Sequence, residues 1–227
     1  MEPTELQARW APTAVLGGLL ALTLPSQAST PQGQVHRYDI LRGETPVGVH
    51  DVRLERVGSE LRVQSSSRID VRLLGLNLYR FRYEAQEVWD QSGLLRLAVE
   101  VDDDGKPFRL KGRRDGDAFR WTSDAGAGEQ RLPLYPTNHW DAGVLRHEQV
   151  LNTLTGHLNR VEVRHLGTES LRLPGGQVQA ERYRYTGDLS LDAWYSDQGQ
   201  WLGMQFDGQD GSQIRYLCAT CAGTGSL

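Results

Sequence analysis

The chain has 227 residues, of which 38% are hydrophobic and 24% charged, and its formal net charge is −4. This composition is typical of a globular protein, and it excludes a chain that is disordered over most of its length. A net negative charge gives no overall basic field, so we expect no nucleic acid among the partners. Two cysteines are too few for a fold that depends on a framework of disulfides.

An uncharged apolar segment, Thr13 to Leu24, precedes the residues Ser26-Gln27-Ala28. Small residues at 26 and 28 fit the −3 and −1 positions of a signal-peptidase site, and the segment is shorter than the roughly 20 apolar residues that a spanning helix needs. We therefore predict a signal peptide over residues 1–28 and a periplasmic location, with no transmembrane span after cleavage. An uncleaved anchor is the alternative, because Glu2 and Glu5 offset Arg9 in the leading segment.

Alternation of apolar or small residues with polar ones dominates the next part of the chain. It runs from Leu61 to Leu73 and resumes from Tyr79 to Trp89, where Glu87 is the residue that breaks it. This pattern predicts two long strands with one wet face each. A strand of thirteen residues spans roughly 43 Å at about 3.3 Å per residue, which is too long to stay flat, so we expect a strongly curled sheet.

Turn sequences divide the rest of the chain into short segments, which brings the prediction to about twelve strands. Only Asp141 to Thr155 has spacing compatible with a helix, and we expect a short helical turn there. The predicted fold class is all-β: one highly curved antiparallel sheet, a half-barrel or open barrel. It forms a single domain over residues 29–222, followed by a flexible tail over 223–227.

Three stretches resemble an uncharacterised family of exported bacterial β-proteins, which is one of the domain-of-unknown-function families. They are YPTNHWD followed by VLNTLTG (Tyr135–Asp141 and Val150–Gly156), the segment Arg68–Trp89, and the closing segment Leu191–Tyr216. The closing hairpin is more distantly similar to the lipoprotein-carrier fold, a half-barrel with an apolar groove. The resemblance implies a curled antiparallel sheet and a periplasmic location, and it brings no established activity.

The segment around YPTNHWD concentrates side chains that are able to do chemistry. His139 and Asp141 are candidates for a catalytic base and its orienting carboxylate, or for metal ligands together with His147. The alternative is structural: polar side chains in such a loop often bond nearby backbone groups, and Trp140 can close the open end of a barrel. We favour the structural interpretation, because no nucleophile motif such as G-x-S-x-G accompanies the loop.

Cys218 and Cys221 form a C-x-x-C pair near the end of the chain. The pair is compatible with a redox dithiol, but it lacks the strand-to-helix context of a thioredoxin motif. The two cysteines could also supply two of the four ligands of a zinc site, but the sequence offers no second pair of ligands. We expect a local disulfide, no metal site and no cofactor.

Arg109, Lys111, Arg113 and Arg114 predict a basic face on one strand. Such a face is usually just solvated. Binding of an anionic lipid headgroup or a polysaccharide is the alternative.

The leading functional hypothesis is a non-catalytic periplasmic protein that binds an apolar or lipid-like small molecule, or a cell-envelope protein. A hydrolase or metal-dependent enzyme using the YPTNHWD loop and a thiol-redox protein using the cysteines are the alternatives. The concave face is predicted to carry aromatic residues beside Leu202, Met204 and Phe206. The predicted ligand-binding residues are Tyr79, Phe81, Tyr83, Trp89, Asn138, His139, Trp140, Asn152 and Thr153.

Overall fold

The computed structural model describes residues 33–73, 76–208 and 210–221. The predicted signal peptide (1–28) and the predicted tail (223–227) lie outside these residues. The described part contains fifteen strands and one short 3₁₀ helix, with no α-helix, and none of its helices is long and apolar enough to cross a membrane. The all-β prediction is therefore confirmed.

The strands follow one another closely along the chain. The first eight are β1 (Gly33–Arg42), β2 (Thr45–Val57), β3 (Glu60–Leu73), β4 (Leu76–Asp90), β5 (Gly93–Asp103), β6 (Lys106–Asp115), β7 (Ala118–Ser123) and β8 (Gly126–Arg131). The next seven are β9 (Tyr135–Pro136), β10 (Gln149–Leu151), β11 (Leu158–Leu173), β12 (Gly176–Gly187), β13 (Leu191–Tyr195), β14 (Trp201–Asp207) and β15 (Gln213–Thr220). The 3₁₀ helix, Ala142–Arg146, lies between β9 and β10.

All fifteen strands belong to one sheet, in the order β8-β7-β6-β5-β4-β3-β2-β1-β15-β14-β13-β12-β11-β10-β9. The described strands pair antiparallel except for β9 and β10, which are parallel. The first strand pairs with the last, so the chain runs outward from β1 to β8 and then returns from β9 to β15. This topology confirms the predicted single curled sheet.

The strand count is a correction: the described residues form fifteen strands rather than about twelve. The prediction missed β8, β9 and β10. β8 has the sequence GAGEQR, whose glycines are poor strand formers. Packing overrides this tendency, because the indole of Trp121 lies so close to Gly128 that a Cβ there would come within 2.2 Å of the ring. β9 and β10 have two and three residues, too few to show alternation.

The interior of the curled sheet is filled by its own side chains and by the central loop, which we define as residues 132–157. Tyr38, Ile40 and Phe119 from the strands are at most 2% exposed, and so are Leu134 and Leu151 from the loop. Within the loop, the 3₁₀ helix confirms the predicted helical turn. The half-barrel therefore has a packed core rather than an empty lumen.

Hydrogen bonds from the sheet hold the central loop on two sides. The Trp121 indole N–H donates to the Gly156 carbonyl at 2.9 Å, and the Tyr195 hydroxyl donates to the His139 carbonyl at 3.1 Å. Both hydrogen bonds are buried. Breaking either one would leave a buried polar group unsatisfied, which lowers the free energy of unfolding. The loop is thus anchored to β7 on one side of the sheet and to β13 on the other.

The structure pairs Cys218 with Cys221 in a buried disulfide, with the Cα atoms 6.1 Å apart. Replacing both cysteines by alanine removes a small covalent ring, and the chain-entropy relation for so short a loop gives a loss of about 2 kcal/mol in the free energy of unfolding. Urea denaturation measures this loss, and reduction of the wild-type protein should reproduce it. Equal stability of the double variant and the oxidised wild type would show that the disulfide does not stabilise the fold.

Candidate functional site

Glu87 is a carboxylate in the interior of the sheet, and it is 1% exposed. On β4 the odd-numbered positions Tyr83, Ala85, Glu87 and Trp89 are all buried, whereas Glu84 and Gln86 are exposed. The strand pleat therefore places an acidic side chain where a core residue is expected. A buried charge destabilises the folded state unless hydrogen bonds satisfy it. The hydrogen-bond partners of Glu87 therefore show how the fold accommodates it.

Three uncharged N–H groups donate to the Glu87 carboxylate. They are the Trp89 indole at 2.7 Å, the Asn138 amide at 2.5 Å and the Trp140 indole at 3.2 Å. Burial raises the pKa of Glu87 to about 7, and these hydrogen bonds lower it in part. Glu87 consequently titrates near neutral pH, and its charge state is coupled to the position of the central loop.

A second set of hydrogen bonds extends this arrangement to the other arm of the loop. The Tyr83 hydroxyl donates to Asn138 Oδ1 at 2.8 Å and lies 3.1 Å from Thr153 Oγ1. Thr137 Oγ1 accepts the Thr153 backbone N–H at 3.2 Å. We call this set the Glu87 network; its members are Tyr83, Glu87, Trp89, Thr137, Asn138, Trp140 and Thr153. It ties β4 to both arms of the central loop.

Two indoles of the network, Trp89 and Trp140, line a surface cleft together with Tyr135. Trp140 and Trp89 contact edge to face, with ring centroids 5.6 Å apart, and the Tyr135 ring lies 5.4 Å from Trp89. The cleft has a volume of about 500 Å³, and we call it the aromatic cleft. Its other lining residues are Arg56, Ser59, Leu61, Asp90, Gln91, Ser92, Gly93, Pro133 and Asp141. Apolar rings thus lie beside a charged rim.

The three candidate catalytic residues make different local contacts, although the Asp141 carboxylate acts on His147, where burial lowers the pKa and Asp141 raises it in part. The buried His139 ring lies against Tyr185 and Trp201, with centroids 5.6 and 5.7 Å away, and burial lowers its pKa to about 4. Asp141 Oδ1 accepts the Gly143 N–H at 2.7 Å and so caps the 3₁₀ helix. His147 stacks on Tyr135 at 4.7 Å.

No hydrogen bond joins His139, Asp141 and His147 through their side chains in the part of the chain that the structure describes. Asp141 lines the aromatic cleft, whereas His147 lines a different cleft of about 1030 Å³. Within residues 33–73, 76–208 and 210–221, no group of three or more His, Cys, Asp or Glu side chains is placed to hold a metal ion. The loop therefore uses these residues in three different local contacts.

Of the nine predicted ligand-binding residues, five meet in one network and four lie elsewhere, among them His139 against Tyr185 and Trp201. Those that the structure brings together in the Glu87 network are Tyr83, Trp89, Asn138, Trp140 and Thr153. Tyr79 and Phe81 are half-buried farther along β4, and Tyr79 lies ten residues, or roughly 30 Å of strand, from Trp89. The Asn152 side chain accepts the Leu154 N–H at 2.9 Å and stabilises a local turn.

Sequence reasoning missed Glu87 and Tyr135 as members of the site. Glu87 had a visible signal, because it breaks the alternation of β4 with an acidic residue at an inward position. Tyr135 had none: its contacts with Trp89 and His147 depend on the path of the central loop.

Comparison with known proteins agrees with this fold. Residues 38–219 match the model of a family described as a domain of unknown function, DUF6134. The chain belongs to this family. No curated protein matches it. The predicted resemblance to an uncharacterised β-protein family is thereby confirmed, and the DUF6134 domain accounts for most of the described residues.

A solved structure extends the comparison to another family. The crystal structure of a beta-barrel-like protein of the DUF1849 family from Brucella abortus is similar to this chain with a TM-score of 0.57. The match covers 84% of this chain and 96% of that chain at 10% sequence identity. At this identity the likeness shows the fold alone, and it supports the half-barrel architecture of the DUF6134 domain.

The raised pKa of Glu87 predicts a pH-dependent effect of Glu87→Gln on stability. Between the ordinary pKa of 4.5 and the folded value of about 7, the folded state keeps a proton that the unfolded state releases. The stabilisation from Glu87 is therefore fully present below pH 4.5 and is lost as the pH rises through 7. Relative to the glutamine variant, the wild type should lose about 3 kcal/mol across this interval.

Urea denaturation of both proteins at several pH values from 4 to 8 measures this difference. His50 and His139, whose pKa values burial lowers to about 4, titrate in the opposite direction, and their contribution cancels because both proteins contain them. A difference between the two proteins that stays constant with pH would contradict the assignment of a neutral-range pKa to Glu87.

Proposed function

We propose that this protein is a non-catalytic periplasmic protein that binds an apolar or lipid-like small molecule in the aromatic cleft. The observation that carries the proposal is the meeting of two indoles and a phenol ring beside a charged rim. Ligand sites are typically concave, between about 300 and 1,000 Å³, and mostly apolar with a few polar groups. The aromatic cleft, at about 500 Å³, lies within this size range, and its lining combines the three rings with polar and charged side chains.

The chemistry of the cleft suits an amphiphile. The half-buried rings of Tyr135 and Trp140, which pack against the buried Trp89, offer an apolar surface to a hydrocarbon chain. Burial of that chain is favourable in proportion to the area removed from water. Arg56 is exposed at the rim and offers a cation to a carboxylate or phosphate headgroup. One end of the ligand would thus be apolar and the other anionic.

The packed interior favours this surface over the lumen of the half-barrel. Tyr38, Tyr185 and Tyr195 each have at most 2% of their surface exposed, and their rings occupy the space that a carrier with an open groove would leave for its ligand. A ligand in the lumen would have to displace such side chains. A ligand in the aromatic cleft has to displace only water.

Other features support a role without catalysis. His139, Asp141 and His147 each serve a separate local contact, and both cysteines lie buried in a disulfide. Reactive thiols need access and thiolate character, which a buried disulfide does not provide. The disulfide also suits an oxidising compartment, which supports the periplasmic location that the signal segment predicts.

Titration with laurate, followed by tryptophan fluorescence and calorimetry, tests the proposal. Trp140→Ala removes much of the aromatic wall and should weaken binding about tenfold, the equivalent of roughly 1.4 kcal/mol. Trp140→Phe keeps a ring but loses the N–H to Glu87, and it should bind within a few-fold of the wild type. Leu154→Ala is the matched control, since Leu154 is 48% exposed on the same loop and lies outside the cleft.

Native mass spectrometry of the protein purified from its own periplasm should show a co-purifying amphiphile that Trp140→Ala loses. Equal laurate affinity in the wild type, Trp140→Ala and Leu154→Ala would contradict the cleft as the binding site. A stoichiometric envelope protein in place of a small molecule would replace the lipid-like ligand with a protein partner.

A further inference from the structure

The outer face of the sheet carries three arginines in a row across neighbouring strands. The register places Arg96 of β5 opposite Arg113 of β6, and Arg113 opposite Arg120 of β7. All three side chains are exposed, and we call them the arginine row. Lys111 is exposed on the same face of β6, two residues before Arg113. Arg114, which the sequence predicts on this face, instead binds Asp90 at 3.1 Å and is half-buried.

The charges of the row are only partly balanced. Like charges that lie directly opposite on neighbouring strands are about 5 Å apart at Cβ and destabilise a sheet. Arg96 binds Glu60 at 3.3 Å, and Arg120 binds Glu129 at 2.7 Å and also Asp115. Arg113 lies between Arg96 and Arg120. Among the described residues, its side chain forms no ion pair and no hydrogen bond. Arg113 therefore lies between two arginines that each have an acidic partner, and one of those acids, Asp115, lies on the same strand as Arg113.

Some arginines elsewhere on this face lie opposite an acid, although Arg68 lies opposite Arg82 and Arg164 opposite Arg184. Arg37 lies opposite Asp51 and binds it at 2.7 Å, and Arg184 lies opposite Asp192 and binds it at 2.8 Å. Arg113, exposed between two further arginines, is placed to bind an anion from outside the chain. A guanidinium is well suited to a phosphate, which it binds with two parallel N–H donors.

The shape around the row is open. Lys111 lies opposite Ala98 on one side and Thr122 on the other, so short side chains flank this cation. A shallow depression of about 360 Å³ lies here, lined by Lys111, Gly112, Arg113, Asp115, Arg120, Trp121 and Thr122. Cations that stand above short neighbours on an exposed sheet face can reach several anionic groups of an extended surface at once.

The row also lies at the end of the sheet where the aromatic cleft opens. Gly93 lines the cleft and comes three residues before Arg96 on β5. Glu60, which binds Arg96, directly follows Ser59 of the cleft rim. A surface that contacts the row would therefore meet the protein beside the mouth of the cleft.

We propose that the arginine row, together with Lys111, docks the protein on the phosphate groups of an anionic lipid bilayer. The choice of a bilayer rests on the proposed function, because a lipid-like ligand of the cleft has to enter from or leave to a membrane. The overall net charge of −4 would oppose such binding, so the attraction has to come from this local cluster. Binding should accordingly weaken as salt screens the charges.

Sedimentation of the full chain with vesicles tests the docking surface. The wild type should bind vesicles of phosphatidylcholine with 30% phosphatidylglycerol, and it should bind neither pure phosphatidylcholine vesicles nor the mixed vesicles in 0.5 M NaCl. Each basic residue near such a surface contributes about a fivefold change in affinity. Arg113→Gln should therefore weaken binding about fivefold, and Arg113→Glu about 25-fold.

Arg172→Glu is the matched control, because it makes the same change of charge at an exposed arginine on β11. It should stay within about twofold of the wild type. Both Arg113 variants should fold, since Arg113 is exposed and its removal relieves repulsion in the row; an unchanged or higher melting temperature checks this. Vesicle binding by Arg113→Glu equal to that of Arg172→Glu would overturn the proposal.

Two further results distinguish bilayer docking from ligand binding in the cleft and from binding of a soluble anion. If laurate binding fails in the wild type while vesicle binding depends on Arg113, the proposed function falls and the docking surface stands. If soluble polyphosphate at the same phosphate concentration displaces the protein from vesicles completely, the row binds a soluble anion and the bilayer proposal is wrong.

Discussion

The buried carboxylate of Glu87 imposes a constraint that the sheet cannot satisfy by itself. One of its hydrogen-bond donors, Trp89, belongs to the same strand, but Asn138 and Trp140 come from the central loop. Removing loop donors would leave an ionisable group in the core with too few partners, which costs several kcal/mol. The position of the central loop and the burial of Glu87 therefore depend on each other.

This dependence explains why an irregular loop has a fixed position inside a β-sheet protein. The Glu87 network holds the loop from β4, while Trp121 and Tyr195 hold it through backbone carbonyls from β7 and β13. Because Trp140 both donates to Glu87 and lines the aromatic cleft, the same contact that seats the loop also shapes the cleft. Protonation of Glu87 near neutral pH would alter the hydrogen bond that positions Trp140 in this wall.

The sequence was informative where side chains alternate. The period of two in β3 and β4 predicts long strands and hence a curled sheet, because a strand obeys its pleat over its whole length. The same rule fails for β9 and β10, which are too short to show a period, and for β8, which forms through the packing of Trp121 on Gly128. The fold class was therefore predictable and the full strand count was not.

The site was predictable only in part, for a related reason. Tyr83 and Trp89 lie on a strand whose pleat fixes their direction, so their inward position follows from the pattern. The directions of His139 and Asp141 do not follow from any period, because they lie in the loop. Glu87 was visible as a break in alternation, yet its partners Asn138 and Trp140 come 51 and 53 residues later in the chain.

A double-mutant cycle between Glu87 and Asn138 tests most directly whether the carboxylate seats the loop. The free energies of unfolding of Glu87→Ala, Asn138→Ala and the double variant are compared with that of the wild type at pH 8, where Glu87 is ionised. If Glu87 and the loop stabilise each other, the double variant should lose less than the sum of the single losses, with a coupling of about 1–3 kcal/mol. Losses that add to within about 0.5 kcal/mol would contradict the account, because they would mean that the loop keeps its position without Glu87.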